Sequence, residues 1–341
     1  AGLAYIDDFE STQTSIDIHY PSYWFLASTP YDPSSDALFP EAASATIDYG
    51  KNRALLAWYK VDQVLNSKTP GSSTPVNLRN NTESQSNHYT RDVKITEVFP
   101  NKSYSYTDAS LLSVMNLSFY PTERGPYNLD VDGMDADGNL TNPQKRWGGI
   151  MRKLDNTDFE SSNIEYIEFW MMDPFIYDEN GTDKGGELYF NLGDVSEDIL
   201  KDGKKFFEHG LPVDGDETKT ETTIWGKVPK TQSTVVAFDN TDGAREKQDV
   251  GLNGLSTAEE FLFPTYSDYV AGVKSKVNAA TLAKMESDKF SPLNDPAGDN
   301  YSFYKSTDYD KESADILTRY KHYNGTEGNS PDANNSTEDY S

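Results

Sequence analysis

The sequence contains no cysteine among its 341 residues, which excludes disulfides, thiol nucleophiles and cysteine-ligated zinc. It has no run of about 20 consecutive apolar residues, the length that a membrane-spanning helix needs. Its start does not place a basic segment before an apolar one, as a signal peptide would. Both ends instead look like boundaries within a longer chain.

Histidine is scarce, and its few copies have no spacing that supports a catalytic or metal site. The four histidines are far apart and form no His-x-x-x-His or His-Glu-x-x-His motif, so we expect them on the surface or in loops: His19, His88, His209 and His322. No Gly-x-Ser-x-Gly or P-loop string occurs. A glycosidase-like carboxylate pair such as Glu165 with Glu187 is expected by chance among 56 acidic side chains. The sequence therefore predicts no enzyme, and it assigns no catalytic, cofactor-binding or metal-binding residue.

Basic residues are also few, with 30 Lys and Arg against 56 Asp and Glu, for a net charge of −26. Nonspecific binding to nucleic acid requires Lys and Arg that displace counterions from the phosphates. Anionic lipid attracts the same basic side chains. The charge balance thus disfavours both nucleic acid and a membrane surface as partners.

Aromatic residues are abundant, with 22 Tyr and 16 Phe, and they concentrate in strand-like runs. In the densest stretch, 146–198, Leu188, Phe190 and Leu192 alternate with polar residues, the period of a half-buried strand. Residues 169–172 are all apolar, which predicts a strand covered on both faces. Further strands are predicted near residues 4–10, 53–61, 93–99, 115–119 and 231–238. An aromatic corner is expected at 23–26, and a short helix is the alternative for 53–61.

About eight short strands joined by long loops predict a mainly β fold with two antiparallel sheets packed face to face. The expected architecture is a jelly-roll-like sandwich, similar to carbohydrate-binding and galactose-binding modules. Three features favour this choice: the acidic-aromatic motif at residues 7–10, the Trp-Gly-Gly strand at 147–149, and the strand at 165–172 that leads to the strand at 186–194.

The chain is predicted to have three regions. Residues 1–243 form the sandwich with long loops, including a mobile surface loop at 66–90 that is too polar to pack. Residues 244–323 form an appended helical or irregular region, and 324–341 a polar linker or disordered tail.

Helical spacing begins the second region, running from Tyr266 to Val277. Asn278 is a candidate cap for a second helix that extends through Met285, and Asp310 for a third that carries Leu317.

One acidic loop, 130–139, has the carboxylate density of a calcium site. Its acidic residues and glycines do not match the EF-hand register, so a solvated acidic turn is the favoured interpretation. A structural calcium near Asp7, Asp8 and Glu10 is a second possibility by analogy with jelly rolls.

The five tryptophans are candidates either for a core or for a sugar-binding platform. Four of them, Trp24, Trp58, Trp147 and Trp170, lie in or beside apolar runs, which predicts core packing. Trp225 lies in a polar stretch and is the best candidate for an exposed ring.

Several long strings resemble the SprA/Sov family, very large outer-membrane translocons of the type IX secretion system of Bacteroidetes. The resemblance extends from residues 5–10 to 320–329 and is carried by Arg124-Gly-Pro-Tyr-Asn128, Arg146-Trp-Gly-Gly-Ile-Met-Arg152, Glu165-Tyr-Ile-Glu-Phe-Trp-Met-Met-Asp-Pro-Phe175 and Gly186-Glu-Leu-Tyr-Phe-Asn-Leu-Gly-Asp-Val-Ser-Glu-Asp198.

The resemblance implies a non-catalytic soluble domain of an outer-membrane translocon that exports proteins and, in gliding species, supports gliding. The implied partners are the rest of the translocon barrel, other type IX subunits and exported cargo. The domain would cap or flank the barrel on the extracellular-facing side of the outer membrane, with the periplasmic side as the alternative. A cell-surface glycan-binding module is the competing hypothesis.

Overall fold

A computed structural model describes residues 16–34, 37–69, 72–79, 81–103, 110–155, 158–160, 164–182, 185–204, 210–231 and 238–328. The predicted strand at 4–10 lies outside the described residues, as does nearly all of the one at 231–238. So does most of the predicted tail at 324–341.

The most extensive strand pairing in the described part is antiparallel, between β2 (Ala54–Tyr59) and β3 (Asn116–Arg124). An earlier short strand, β1, spans Phe25–Leu26. Leu55 lies opposite Tyr120, but the preceding residue, Ala54, lies opposite Arg124, so three residues of β3 bulge out between them. Pro121 falls in this bulge, where its missing N–H leaves no gap in the ladder. Both strands are predicted by the sequence, but the second continues through Pro121 to Arg124, beyond the predicted range 115–119.

Two smaller antiparallel pairs complete the described strands. The first pairs β1 with β4 (Ile150–Met151), and the second joins β5 (Thr220–Thr222) to β6 (Lys227–Pro229). Gly148, just before β4, lies where an added Cβ would approach Leu56 Cβ to 2.7 Å. Only glycine therefore allows this backbone to pass so close to β2.

The prediction of a mainly β, jelly-roll-like sandwich is wrong. A sandwich needs two multi-stranded sheets packed face to face, whereas the described strands form three separate two-stranded pairs. The physical reason lies in the dense apolar stretch. Its runs within 164–173 and 185–195 are extended but pair with no strand of the described residues, so they build no sheet.

Short helical segments occupy much of the chain that the sequence assigned to loops and strands. Three α-helical segments come first: α1 (Val76–Arg79), α2 (Thr82–Ser86) and α3 (Ile95–Val98). The strand predicted at 93–99 is therefore wrong. So is the expectation that 66–90 is too polar to pack, because Leu78 is completely buried. The described 3₁₀ segments are Pro21–Tyr23, Pro40–Ala43, Ile47–Gly50, Gln63–Asn66, Pro143–Lys145 and Glu217–Lys219.

Further helices follow residue 243, as predicted, and two of them are the longest in the described part of the chain. They are α4 (Arg245–Gln248), α5 (Thr257–Glu260), α6 (Pro264–Lys276), α7 (Ala279–Ser287), α8 (Thr307–Lys311) and α9 (Ile316–Tyr320). Asn278 caps α7 as expected, since its side chain accepts a hydrogen bond from the Thr281 N–H at 2.9 Å. The expected cap at Asp310 is wrong, because Asp315 caps α9 by accepting from the Thr318 N–H.

One core cluster contains side chains from both sides of residue 243. Tyr266, Tyr269 and Val273 of α6 belong to the same buried cluster as Trp58 and Trp225. The boundary at residue 243 stays a prediction, but the elements before and after it share apolar core.

A second core cluster joins side chains of β2, such as Tyr59, to side chains of α9, such as Tyr320. The ring of Tyr59 stacks on Tyr320 with 4.3 Å between centroids and 7° between planes, and Tyr304 stacks on Tyr320 at 4.8 Å. The Tyr320 hydroxyl accepts a hydrogen bond from the Asp62 N–H at 2.9 Å. These contacts fix the last described helix against one of the first strands.

The longest described helix is α6, with 13 residues. Among the described residues, no helix combines the length and apolar character needed to cross a bilayer.

Candidate functional site

The acidic loop at 130–139 uses its carboxylates within the chain. Asp130 accepts a hydrogen bond from the Gly133 N–H at 2.9 Å and forms an ion pair of 3.3 Å with Arg146. Asp135 accepts from the N–H groups of Asp137 and Asn139. This geometry is that of a turn held by its own side chains. The other calcium candidates, at residues 7, 8 and 10, lie outside the described residues.

The described histidines remain apart from one another. His88 donates its N–H to the Tyr177 hydroxyl at 2.8 Å, and His19 contacts Asp17. His322 stacks on Phe290 with 3.7 Å between centroids. Burial, helped by nearby Lys and Arg charges, lowers the pKa of His322 to about 3, so its ring is neutral at pH 7. His209 lies outside the described residues.

The tryptophans are placed differently from the prediction at two positions. Trp58 and Trp147 are buried as expected, and Trp24 is partly buried against the core. Trp225, expected to be exposed, is completely buried, whereas Trp170, expected in the core, is 75% exposed. The polar neighbours of Trp225 suggested an exposed ring. Its ring instead belongs to the buried core cluster that includes side chains of α6, whereas the polar residues 221 and 222 are exposed.

Trp170 belongs to an exposed segment that we call the aromatic arm, residues 164–182 and 185–195. Glu165 and Glu187 also lie in this arm and are exposed. Large apolar side chains on the arm are exposed to solvent, including Tyr166, Ile167, Phe169, Trp170, Met171, Met172, Phe175, Ile176, Tyr177, Leu188, Tyr189, Phe190, Leu192 and Val195. Exposed apolar surface of this extent marks interaction sites.

Side-chain contacts connect the aromatic arm to the rest of the chain. Near its middle, Tyr177 packs edge-on against Tyr89, whose hydroxyl donates to the Pro174 carbonyl at 2.8 Å. The Trp170 ring meets Phe99 at 5.6 Å between centroids. Just beyond the arm, Ser28 donates to the Ser196 carbonyl at 2.6 Å. These contacts hold the arm while most of its apolar surface remains exposed.

The backbone of the aromatic arm is largely unpaired. Within the described part of the chain, residues 165–173 and 186–195 take part in no backbone-to-backbone hydrogen bond. Their side chains nevertheless form one point of contact between the two runs, where Phe169 and Phe190 lie 5.6 Å apart. Extended backbone with free N–H and C=O groups can form hydrogen bonds with an additional strand.

A second feature lies inside the protein, where three carboxylates meet. Glu260, Asp299 and Glu327 each contribute one oxygen to a group whose members lie within 4.8 Å of one another. Glu260 and Asp299 are completely buried, and Glu327 is 9% exposed. We call these three residues the carboxylate cluster.

Local structure brings the three carboxylates together. Glu260 ends α5, which begins with a capping box between Ser256 and Glu259. Asp299 follows a tight turn in which Asp295 accepts hydrogen bonds from the N–H groups of the next residues. Glu327 lies beside that turn, since its N–H donates to the Asp299 carbonyl at 3.0 Å.

Several oxygens of the cluster already have hydrogen-bond donors. Glu260 Oε1 accepts from Asn253 at 2.6 Å and its Oε2 from the Ala297 N–H at 2.9 Å. Asp299 Oδ2 accepts from the Tyr127 hydroxyl at 2.7 Å. Glu327 Oε1 accepts from the Thr257 N–H at 2.5 Å.

Two oxygens of the cluster have no hydrogen-bond partner among the described residues: Asp299 Oδ1 and Glu327 Oε2. Burial, reinforced by the neighbouring carboxylates, raises the pKa of Asp299 well above its usual range. Burial likewise raises the pKa of Glu260 to about 8 and that of Glu327 to about 7. Carboxylates so perturbed need a proton or a cation to offset their charge.

No pattern in the sequence indicates the carboxylate cluster. Its members are widely separated in the chain, and no spacing motif connects them. The turn-forming string from Asp295 to Asn300 and the Ser256-x-x-Glu259 capping box are visible in the sequence. They predict local turns, but not that Glu260 and Glu327 converge on Asp299.

Comparison with known proteins gives one match. Residues 268–341 match a family model described as SprA_N, motility related/secretion protein. The matched range begins inside α6 and includes Asp299 and Glu327. No protein among the curated sequences matches the chain. The match, over residues 268–341, supports the resemblance of this chain to the SprA/Sov family.

Proposed function

We propose that the chain is a non-catalytic part of an outer-membrane translocon of the SprA type. In this proposal it contributes to type IX protein export, and to gliding in cells that glide. It caps or flanks the translocon barrel on the extracellular-facing side of a Gram-negative outer membrane. The family match supports the general role, because the model that matches residues 268–341 is described as motility related and secretion related.

The aromatic arm is the observation that carries this proposal. Its two extended runs expose large apolar side chains, and their backbone groups are unpaired with the other described residues. A partner strand could satisfy both features at once, since strand addition pairs the backbone while pockets receive alternate side chains. We assign this partner to a strand of the translocon barrel, and the arm then fixes the chain to the barrel.

Surface glycan is the second candidate partner, because exposed rings such as Trp170 and Tyr166 can stack on sugars. The arm also exposes aliphatic and thioether side chains, among them Ile167, Met171 and Leu192. Those side chains provide no stacking face, and a sugar would leave the backbone of two extended runs unpaired. These points favour a protein strand over a glycan.

A substitution in the arm tests the proposal in cells that carry the complete translocon. Trp170→Ser removes the most exposed ring of the arm, so we expect cargo export to fall by at least about tenfold, since aromatic anchors often contribute about 2 kcal/mol or more to an interface. Export is measured as secreted cargo relative to the amount of translocon in the outer-membrane fraction.

Leu262→Ser is the matched control, because Leu262 is 84% exposed but lies between α5 and α6, outside the arm. We expect it to leave export unchanged. Equal export from the Trp170→Ser and Leu262→Ser strains would contradict the docking role of the arm. Binding of the purified chain to a surface polysaccharide, abolished by Trp170→Ser, would favour the glycan instead.

A further inference from the structure

We propose that Glu260, Asp299 and Glu327 bind one calcium ion. Each residue places a carboxylate oxygen within 4.8 Å of the other two, and two of the cluster's oxygens lack any hydrogen-bond partner. This site is independent of the proposed role in export.

The unpartnered oxygens indicate what the site lacks. Asp299 is completely buried and its Oδ2 is occupied by the Tyr127 hydroxyl, which leaves Oδ1 free to bind a ligand. Glu327 has the same arrangement, with Oε1 bound to the Thr257 N–H and Oε2 free. A buried carboxylate oxygen without a donor is costly. A cation that contacts both free oxygens would remove that cost and offset the repulsion among three acids.

The donor set favours calcium. All three side chains offer oxygen, the ligand that hard cations prefer, and no histidine belongs to the cluster. Calcium binds oxygens at about 2.3–2.6 Å in flexible geometry, so carboxylates within 4.8 Å of one another can share one ion. Magnesium demands a near-ideal octahedron and usually keeps several waters, so a buried group of protein carboxylates suits calcium better.

The surroundings hold the ligands in place before any ion arrives. Asn253 and the Ala297 N–H both bind Glu260. Gly251 lies so close that an added Cβ would be 2.3 Å from Asp299 Oδ2. The Glu327 backbone is fixed by its N–H bond to the Asp299 carbonyl and by its own carbonyl, which accepts from the Tyr301 N–H at 3.1 Å. Outer contacts of this kind orient metal ligands.

Thermal unfolding of the purified chain tests the proposal. After treatment with a chelator and its removal, calcium is added at constant ionic strength, with magnesium in a parallel sample. We expect calcium to raise Tm by at least about 5 °C at saturation, since a ligand that binds only the folded state stabilises it. Magnesium at the same concentration should produce a clearly smaller shift. Calorimetry should give one tight calcium site per chain.

Neutral isosteres provide the decisive variants. Asp299→Asn and Glu327→Gln remove charge without changing shape, and each should abolish the Tm response and weaken calcium binding by at least about tenfold. Glu327 is slightly more exposed than Asp299, so Glu327→Gln keeps the test valid if Asp299→Asn does not fold. Asp132→Asn in the exposed acidic loop is the control and should respond like the parent chain.

Three results would overturn the proposal. The first is a parent chain whose Tm does not respond to calcium. The second is an equal calcium response in both cluster variants and the Asp132→Asn control, which would indicate nonspecific screening of an acidic surface. The third is an equal shift with magnesium, which would remove the assignment to calcium.

Discussion

Replacing Arg319 with Met is expected to lower the free energy of unfolding by about 3–5 kcal/mol. The Arg319 side chain is completely buried, and its guanidinium forms an ion pair of 2.8 Å with Asp310. It also donates to the carbonyls of Ala314 and Tyr304, each at 3.1 Å. Methionine fills a similar volume but donates no hydrogen bond, so these acceptors lose their partner. Urea unfolding followed by tryptophan fluorescence measures the difference.

Arg91→Met is the matched control, since Arg91 also forms an ion pair of 2.8 Å, with Glu97, but near the surface. Exposed pairs contribute less than about 1 kcal/mol, so this variant should unfold close to the parent chain. If both variants lose the same free energy, burial of Arg319 is not the source of its effect. The ion pair of Arg319 with Asp310 would then stabilise the chain no more than an ion pair near the surface does.

Gly226→Ala is expected to destabilise the chain by about 2–6 kcal/mol, combining backbone strain with overpacking. Gly226 has a φ of 158°, and an added Cβ would lie 1.9 Å from the Asn253 carbonyl oxygen. Relief of that clash must displace Asn253, whose side chain binds Glu260. The same urea titration measures the loss.

Gly203→Ala is the matched control that measures the cost of the backbone conformation without the steric clash. Gly203 also has a positive φ, 80°, but an added Cβ meets no atom within 4 Å. Its cost should be about 1–2 kcal/mol, that of a left-handed non-glycine residue alone. Equal losses for the two variants would mean that the close approach at Gly226 does not matter for stability.

Local patterns in the sequence predicted the elements that depend on local contacts. The alternation around 53–61 gives β2, and the helical spacing from Tyr266 gives α6. Asn278 caps α7 because a short polar side chain before a helix can satisfy its first N–H groups. The sequence predicts Asp310 as the cap of the third helix, whereas Asp315 caps α9 in the structure. Both residues are acidic and lie near the start of the same pattern, so sequence alone did not separate them.

The predicted fold class is wrong because it depended on strand partners that the described residues do not supply. Apolar alternation in residues 185–194 correctly indicates extended backbone, but it cannot show what covers that backbone. The sequence analysis assumed a second sheet of this chain, whereas Trp170 and its neighbours face solvent. Trp225 shows the converse, since long-range packing against α6 buries a ring whose neighbours are polar.

The carboxylate cluster could not be predicted because tertiary contacts alone create it. Asp299 meets Glu260 through packing of the turn at 295–300 against α5, and meets Glu327 through backbone bonds. The dense acidic loop at 130–139 attracted the calcium hypothesis instead. The carboxylates of Asp130 and Asp135 bind the backbone of the loop itself and, for Asp130, Arg146.

Hydrogen–deuterium exchange of the aromatic arm, in the isolated chain and in the assembled translocon, tests the docking of the arm most directly. Amides in 165–173 and 186–195 have no backbone partners within the described part of the chain, so they should exchange at nearly unprotected rates in the isolated chain. Pairing with a barrel strand should slow them by at least about 100-fold in the translocon, while β2 and β3 stay protected in both samples. Equally fast exchange of the arm in both states would contradict the proposal that it pairs with the barrel.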